Sequence, residues 1–187
     1  MKPVFVTSNA NKLREAAEIL GLDLDRADVD VPEIQSLDFG EVVAAKALAA
    51  HEALGSPSYP VIVDDSGLAV GAWGGFPGPL TRWLMKSVGN AGLLRMLAAE
   101  EDRSALAVCA VAVADASGSV RIFRGVVEGD ISHEPRGEGG FGFDPIFVPE
   151  GGTRTYSEMG EQKNTDSHRT RAFLAAREGL ASLLADG

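Results

Sequence analysis

The sequence is poor in sulfur and imidazole side chains. Its 187 residues include one cysteine and three histidines, so no internal disulfide can form. Because Cys109 lies inside the apolar run ALAVCAVAVA at 105–114, we expect a buried core thiol without a chemical role. A metal site in this chain would have to be built mainly from oxygen ligands.

Long apolar segments and basic residues are also scarce. The longest apolar run, 105–114, is too short to span a bilayer, and residues 1–6 are too short for a signal peptide. The chain carries 17 basic and 27 acidic residues, a formal net charge of -10, which argues against a nucleic-acid-binding surface. We therefore expect a cytoplasmic protein that binds neither membranes nor nucleic acid, and an anionic ligand would have to meet a local basic cluster or a metal.

The helix and strand patterns predict one α/β domain over residues 1–187. Apolar residues make up 45% of the chain, enough for a sizeable core. KPVFVTSNANKLREAAEIL predicts a strand, a turn and a helix capped by Ser8 or Asn9, and a second helix runs from Asp38 to about Leu54.

The second half of the chain predicts a long hairpin. Its two strands, of roughly ten residues each, fill 105–131, and a last helix begins at Ser167. The acidic stretch 22–31 predicts an edge strand pair. The fold class is thus α/β, with a mixed central β-sheet of long strands flanked by helices.

Two adjacent aspartates, Asp64 and Asp65, interrupt the apolar stretch 61–70. A sharp junction there would place both at a strand end, where ligands dock in α/β folds. An ordinary D-S-G turn explains one aspartate, but two neighbouring carboxylates repel each other unless a cation or hydrogen bonds compensate. We therefore favour a metal ligand, and hard oxygen ligands indicate magnesium.

Two further stretches leave a structural and a functional interpretation open. In TSNANK, the amides of a helix start, the hydroxyls of Thr7 and Ser8 and the charge of Lys12 are the parts of a phosphate cradle, although capping explains the same residues. Glu41 has capping-box spacing from Asp38, which favours a structural role. Lys46 is expected to be a solvated surface lysine.

Two stretches near the end carry aromatic and basic residues. GEGGFG at 137–142 fits G-x-G-x-x-G, but prolines at 145 and 149 forbid the helix that a dinucleotide loop needs. It predicts backbone close to a flat ligand, or a tight turn with buried phenylalanines. In KNTDSHRTR, basic residues surround a helix start, where positive charge is unfavourable without an anionic or electron-rich ligand. A binding site is favoured there over a solvated basic face.

Taken in order, TSNANK, the helix with Glu41 and Lys46, DDSGLAV, GGFGFDPIF and KNTDSHR closely resemble the inosine triphosphate pyrophosphatase, or Ham1, family over nearly the whole chain. GFPGPLTRW and TYSEM are similar to its archaeal and eukaryotic members. The resemblance implies Mg²⁺-dependent hydrolysis of ITP, dITP and XTP to the monophosphate and pyrophosphate. It also implies a homodimer and a nucleotide cleft between two lobes.

The resemblance assigns roles by position. Asp65 is implied as the catalytic acid residue, as metal ligand or base, and Glu41 as a second metal ligand rather than a cap. Arg82 lies where the family varies, so its role stays open. Substrate contacts are implied for a larger set: Thr7, Ser8, Asn9, Ala10, Asn11, Lys12, Ser66, Phe141, Gly142, Phe143, Asp144, Lys163, His168 and Arg169.

The substrate base would be read by its carbonyl. Hypoxanthine and xanthine present a carbonyl at C6 where adenine presents an amine, so a donor such as Arg169 or His168 would reject adenine. Guanine would have to be excluded by crowding at its 2-amino group. Two alternatives are a Maf-type pyrophosphatase of modified pyrimidine triphosphates and a nucleotide sensor without turnover.

Overall fold

A computed structural model describes residues 2–185, in which strands and helices alternate around one mixed sheet. The strands are β1 Val4–Val6, β2 Asp25–Ala27, β3 Val61–Val70, β4 Pro77–Gly78, β5 Ser104–Ala114, β6 Val120–Ile131 and β7 Phe147–Pro149. The helices are α1 Ala10–Leu20, α2 Phe39–Ala53, α3 Thr81–Met96, α4 Tyr156–Met159 and α5 His168–Ala185. Short 3-10 segments lie at Gly71–Trp73 and Gly160–Thr165.

The strands run in the order β2-β1-β3-β5-β6-β7, and β4 pairs with β3. β1 is parallel to β2 and β3, and the other pairs are antiparallel. The predicted fold class and long hairpin are therefore confirmed. β5 alternates small apolar residues toward two covered faces, as a central strand requires. Cys109 on β5 is buried, and burial raises the pKa of its thiol to about 12, as expected for a core thiol.

The helices cover both faces of the sheet. On one face α1 and α5 pack over Phe5, Ile62 and Cys109, with Phe5 and Phe173 in an edge contact at 5.7 Å between ring centroids. α2 packs over the other face. Asn9, rather than Ser8, caps α1, while Asp38 caps α2 as predicted.

Two predictions about local structure are wrong. The acidic stretch 22–31 forms the single three-residue strand β2 rather than a strand pair. Asp64 and Asp65 do not lie at a junction between two strands, because β3 runs without interruption from Val61 to Val70. Adjacent residues of a strand point to opposite faces, so these two carboxylates are directed apart.

Along one of its edges, the middle of β3 is not paired with another described strand. β1 pairs with β3 only at Val61 and Ile62, and β4 pairs with it only at Leu68 and Ala69. Within the described residues, the segment 63–67 therefore has no strand neighbour on that side. This gap opens the sheet next to both aspartates.

None of the helices within residues 2–185 is both long and apolar enough to cross a bilayer. The expected division into two lobes around a cleft stays a prediction.

Gly125 on β6 sets how closely α5 approaches the sheet. A Cβ built on Gly125 would lie 2.1 Å from the carbonyl oxygen of His168 and 2.4 Å from the amide nitrogen of Ala172. Since both atoms belong to backbone, we expect Gly125→Ala to displace α5 and to lower the free energy of unfolding by about 3 kcal/mol. Denaturant unfolding measures this. Glu128→Ala on an exposed position of β6 should change it little, and equal stability of both variants would contradict the packing argument.

Candidate active site

A cleft of about 850 Å³ opens at the uncovered edge of β3. That volume is within the range of small-molecule sites. Its walls come from the β1–α1 loop, the middle of β3, the start of α3, the loop 141–144 and the start of α5. Of the predicted site residues, those that line it are Thr7, Ser8, Asn9, Lys12, Asp65, Ser66, Phe141, Gly142, Phe143, Asp144, His168 and Arg169.

One end of the cleft is the start of α1. Thr7 Oγ1 accepts a hydrogen bond from the Asn9 amide at 3.1 Å, and Asn9 Oδ1 accepts from the amides of Asn11 and Lys12 at 2.9 and 3.4 Å. These bonds shape the loop and direct the positive end of the helix dipole to the cleft. Ala10 and Asn11 are exposed and do not line it.

Asp64 is paired with cationic side chains. Its carboxylate lies 2.9 Å from Lys12 Nζ and 3.7 Å from Arg169 Nη2, and its side chain is 2% exposed. Burial raises its pKa, but the charges of Lys12, Arg169 and Lys46 outweigh burial and hold the pKa below its usual range. Asp64 is therefore a buried carboxylate whose cationic neighbours favour its ionised form, and it also accepts a hydrogen bond from the Ser66 hydroxyl at 3.3 Å.

Asp65 has the opposite environment. Its Oδ2 is buried and has no hydrogen-bond partner. Burial raises the pKa of this carboxyl to about 6, and the negative charges of Asp64 and Glu33 add to the rise while Lys12 and Lys46 oppose it. A carboxylate whose pKa lies near neutrality can take up and release a proton at physiological pH.

Glu33 and Lys46, which the sequence interpretation missed as site residues, line the cleft beside Asp65. Lys46 Nζ lies 2.9 Å from Glu33 Oε1 and donates to the Asp64 carbonyl at 3.4 Å, so the prediction of a solvated surface lysine is wrong. Arg82, whose role the sequence left open, also lines the cleft, with Nη1 3.6 Å from Glu33. Burial raises the pKa of Glu33, but Lys46, Arg82 and Lys12 lower it further than burial raises it.

Glu41, which the resemblance implies as a metal ligand, is not among the residues that line the cleft. Its side chain is exposed in the first turn of α2, outside the residues that line the cleft, and accepts a hydrogen bond from Ser36 Oγ at 2.7 Å. Asp38 Oδ1 accepts from the Glu41 amide, while the Asp38 amide donates to Ser36, so the reciprocal half of a capping box is not formed. Its role as a metal ligand stays a prediction.

The oxygen atoms near Asp65 fit a magnesium ion. Within residues 2–185, no three histidine, cysteine or acidic side chains are grouped to hold a metal alone. Mg²⁺ needs only one or two carboxylates, because waters and substrate phosphates complete its shell. The unpartnered buried oxygen of Asp65 and the carboxylate of Glu33, which lines the same cleft, are the groups that would hold such an ion.

The other end of the cleft is aromatic. Asp144 Oδ2 accepts hydrogen bonds from the Phe141 amide at 2.9 Å and from Lys163 Nζ at 2.7 Å, which closes the 141–144 loop. The Phe141 ring has Lys163 Nζ 4.8 Å and the Arg169 guanidinium 5.3 Å from its centroid. Phe143 is buried against His168, at 5.6 Å between ring centroids. The dinucleotide-loop interpretation was rightly rejected, because 137–142 opens no helix.

Glu15 on α1, also missed from the sequence, joins the two ends of the cleft. It lies 3.5 Å from Lys163 Nζ and 2.6 Å from Arg169 Nη1. Together with the pairs at Asp64 and Asp144, it completes a chain of alternating charges, in the order Lys12, Asp64, Arg169, Glu15, Lys163 and Asp144. Periodicity gave no signal for it, because Glu15 lies off the apolar face formed by Leu13, Ala16, Ala17 and Leu20 and is buried by its ion pairs.

Several buried polar atoms of cleft residues lack partners. They include Asp65 Oδ2, His168 Nδ1 and Arg169 Nε. Burial, followed by the charges of Arg169 and Lys163, lowers the pKa of His168 well below its ordinary value, so its imidazole is neutral. Since buried polar groups in proteins are nearly always paired, these atoms point to a polar ligand.

A cleft with a helix start, two aspartates whose pKa values are shifted in opposite directions and an aromatic, basic far end defines an α/β nucleotide-binding protein. The profile of the Ham1 family matches residues 3–179, and the chain belongs to that family.

The relatives include archaeal, fungal and bacterial proteins. The dITP/XTP pyrophosphatase of Methanopyrus kandleri is 44% identical over 177 residues, or 92% of this chain and 93% of that protein. The inosine triphosphate pyrophosphatase of Batrachochytrium dendrobatidis is 41% identical over 183 residues, or 96% and 94%. The Staphylococcus aureus Ham1 structure matches with a TM-score of 0.78 at 30% identity, covering 97% of this chain and 99% of that one. The resemblance inferred from sequence is confirmed.

The raised pKa of Asp65 predicts an acid limit to activity. We expect kcat/KM for the substrate to fall about tenfold per pH unit below pH 6, because the protonated carboxyl can act neither as base nor as ligand. The folded-state pKa exceeds the ordinary value of 3.8, so the folded state holds this proton more tightly than the unfolded chain does. The resulting contribution to stability is greatest below pH 3.8 and is lost as the pH rises through about 6. A pH–rate profile measures the limb. The His168→Asn variant should retain the acid limb of the profile. Loss of the limb in that variant would assign the limb to His168 instead of Asp65.

Proposed function

We propose that this protein hydrolyses non-canonical purine nucleoside triphosphates, ITP, dITP and XTP, to the monophosphate and pyrophosphate. The names of the dITP/XTP and inosine triphosphate pyrophosphatases among its relatives support the substrate class. The observation that carries the proposal is the unpartnered Asp65 carboxyl, whose pKa is raised to about 6, in a nucleotide-sized cleft that the start of α1 also lines.

The chain supplies each element of the hydrolysis. The α1 amides and Lys12 bind the triphosphate and stabilise its developing charge. Asp65 takes a proton from the attacking water, whose oxygen forms a new bond to phosphorus while the bond to the bridging oxygen breaks. The leaving group keeps the electron pair of that bond: it is pyrophosphate when water attacks the α-phosphorus and the monophosphate when water attacks the β-phosphorus. Lys46 and Arg82 border the same region and balance the charge.

We propose Mg²⁺ as the cofactor, held by Asp65 and by Glu33 rather than the exposed Glu41. When bound, Mg²⁺ would neutralise phosphate charge and lower the pKa of coordinated water. Charge–charge coupling between Asp65 and Glu33 and their shared cleft support the pairing.

Base selection rests on Arg169. Its side chain is 2% exposed and held by Glu15, and its buried Nε–H has no acceptor in the protein. A carbonyl at C6 of hypoxanthine or xanthine would accept that hydrogen bond, whereas the amine of adenine would leave it unpaired. Phe141 offers a ring against which a base can stack.

We also propose that the protein is a cytoplasmic homodimer and that it does not bind nucleic acid. The family resemblance supports the dimer, and the net charge of -10 argues against a nucleic-acid ligand.

Pyrophosphate release from ITP, XTP, GTP, ATP and dTTP, measured in parallel with Mg²⁺ and with EDTA, tests the function. We expect fast, metal-dependent release from ITP and XTP alone, and Asp65→Asn should abolish it while largely sparing nucleotide binding. Release mainly from dTTP would identify a Maf-type enzyme. Binding of ITP by the wild type without any product would identify a sensor, and a near wild-type rate in Asp65→Asn would remove Asp65 from the chemistry.

Arg169→Lys tests base selection while retaining a positive charge between Glu15 and Asp64. Arg169→Ala would remove one of the two cations that each of these buried carboxylates contacts and leave Lys12 alone with Asp64 and Lys163 alone with Glu15, which is destabilising. Lysine lacks the guanidinium fork, so we expect the ratio of kcat/KM for ITP to that for ATP to fall about tenfold. Steady-state kinetics with both nucleotides measures the ratio. An unchanged ratio would exclude Arg169 from base recognition.

A further inference from the structure

Asn90 connects α3 to the loop 141–144 on the base side of the cleft. α3 is broken at Gly89, whose φ of 63° and ψ of -173° are not helical, and Asn90 follows the break. A residue at that position could cap the new helical segment through its side-chain oxygen. Instead, Asn90 Oδ1 is buried without a partner, and Nδ2 donates a hydrogen bond to the Gly142 carbonyl at 3.1 Å.

The other described hydrogen bonds of the loop 141–144 and of Gly139 just before it are made within the loop, with the residues that follow it directly, or with Ser157 and Lys163. Asp144 closes the turn by accepting from the Phe141 amide, and Ser157 of α4 donates to the Gly139 carbonyl at 2.8 Å. Asn90 approaches from α3, whose first residues line the cleft. It therefore restrains the segment between the two aromatic rings, Phe141 and Phe143, from a separate direction.

The other end of α3 is fixed to the strand that carries Asp65. Thr81 Oγ1 donates to the Gly78 carbonyl at 2.7 Å and accepts from the Leu68 amide of β3 at 2.8 Å. A continuous path of backbone and hydrogen bonds thus runs from β3 through α3 to Gly142. This path is one of the connections between the strand that carries Asp65 and the loop 141–144.

We propose that Asn90 is a positioning residue that holds the loop 141–144 in place for the purine base. The proposal rests on the proposed nucleotide pyrophosphatase function. Asn90 does not itself line the cleft, so its effect passes through Gly142 and the Phe141 ring. Its loss should weaken binding of ligands that carry a base and leave binding of the phosphate chain alone unchanged.

Asn90→Ala and Asn90→Asp test the role of the donor. Aspartate has nearly the shape of asparagine but, when ionised, cannot donate to the Gly142 carbonyl. For each variant we expect KM for ITP to rise about three- to tenfold, the size of one lost hydrogen bond, with kcat changed by less than twofold. The inhibition constant of inorganic triphosphate, measured with Mg²⁺, should stay at the wild-type value.

Ser87→Ala, on an exposed position of the same helix, is the matched control and should change none of these constants. Thermal unfolding of each variant identifies a general loss of stability. An unchanged KM for ITP in both Asn90 variants, or an equal weakening of ITP and inorganic triphosphate, would overturn the positioning role. Should the wild type lack turnover, that result counts against the proposed function, and calorimetric Kd values for ITP and inorganic triphosphate still decide the role of Asn90.

Discussion

The buried chain of alternating charges from Lys12 to Asp144 is the interaction on which the rest of the site depends. Moving a single charge out of water costs several kcal/mol, and that cost is recovered only when each charge has an opposite partner in good geometry. In this chain every inner member has a neighbour of opposite sign on each side. The packing of α1, β3, α5 and the loop 141–144 is therefore fixed by electrostatics as well as by apolar contact.

This constraint explains why neighbouring aspartates differ. Asp64 faces α1 and α5 and is neutralised by Lys12 and Arg169, which keeps it ionised. Asp65 points to the opposite face, where its Oδ2 has no partner and its pKa is raised. Two carboxylates whose environments separate their pKa values can take different roles, one holding structure and the other available for proton transfer. The one-residue alternation of a strand is enough to create that difference.

The sequence predicted local features well and long-range pairs poorly. Strand, helix and hairpin followed from periodicity, and TSNANK and DDSG marked real walls of the cleft. Glu33 gave no signal, because it lies in a segment outside helix and strand, where periodicity does not say which side chain turns inward. Glu41 was named as a metal ligand because its place in α2 matches a glutamate of the resembled family, and that role stays a prediction. Lys46 was misjudged since the partner that buries it, Glu33, is thirteen residues away along an irregular path.

An acidic protein that binds a polyanion needs a local field opposed to its overall charge. The chain has a net charge of -10, yet Lys12, Lys46, Arg82 and Arg169 all line one cleft. Four cations in one cleft would repel each other, but each is already near a carboxylate: Asp64, Glu33 or Glu15. The pairs of Lys12, Lys46 and Arg169 hold these three cations in position before any ligand arrives, so a phosphate chain meets preorganised donors and less side-chain freedom is lost on binding. The acids in the cleft are therefore compatible with an anionic ligand, because they fix the cations that bind it.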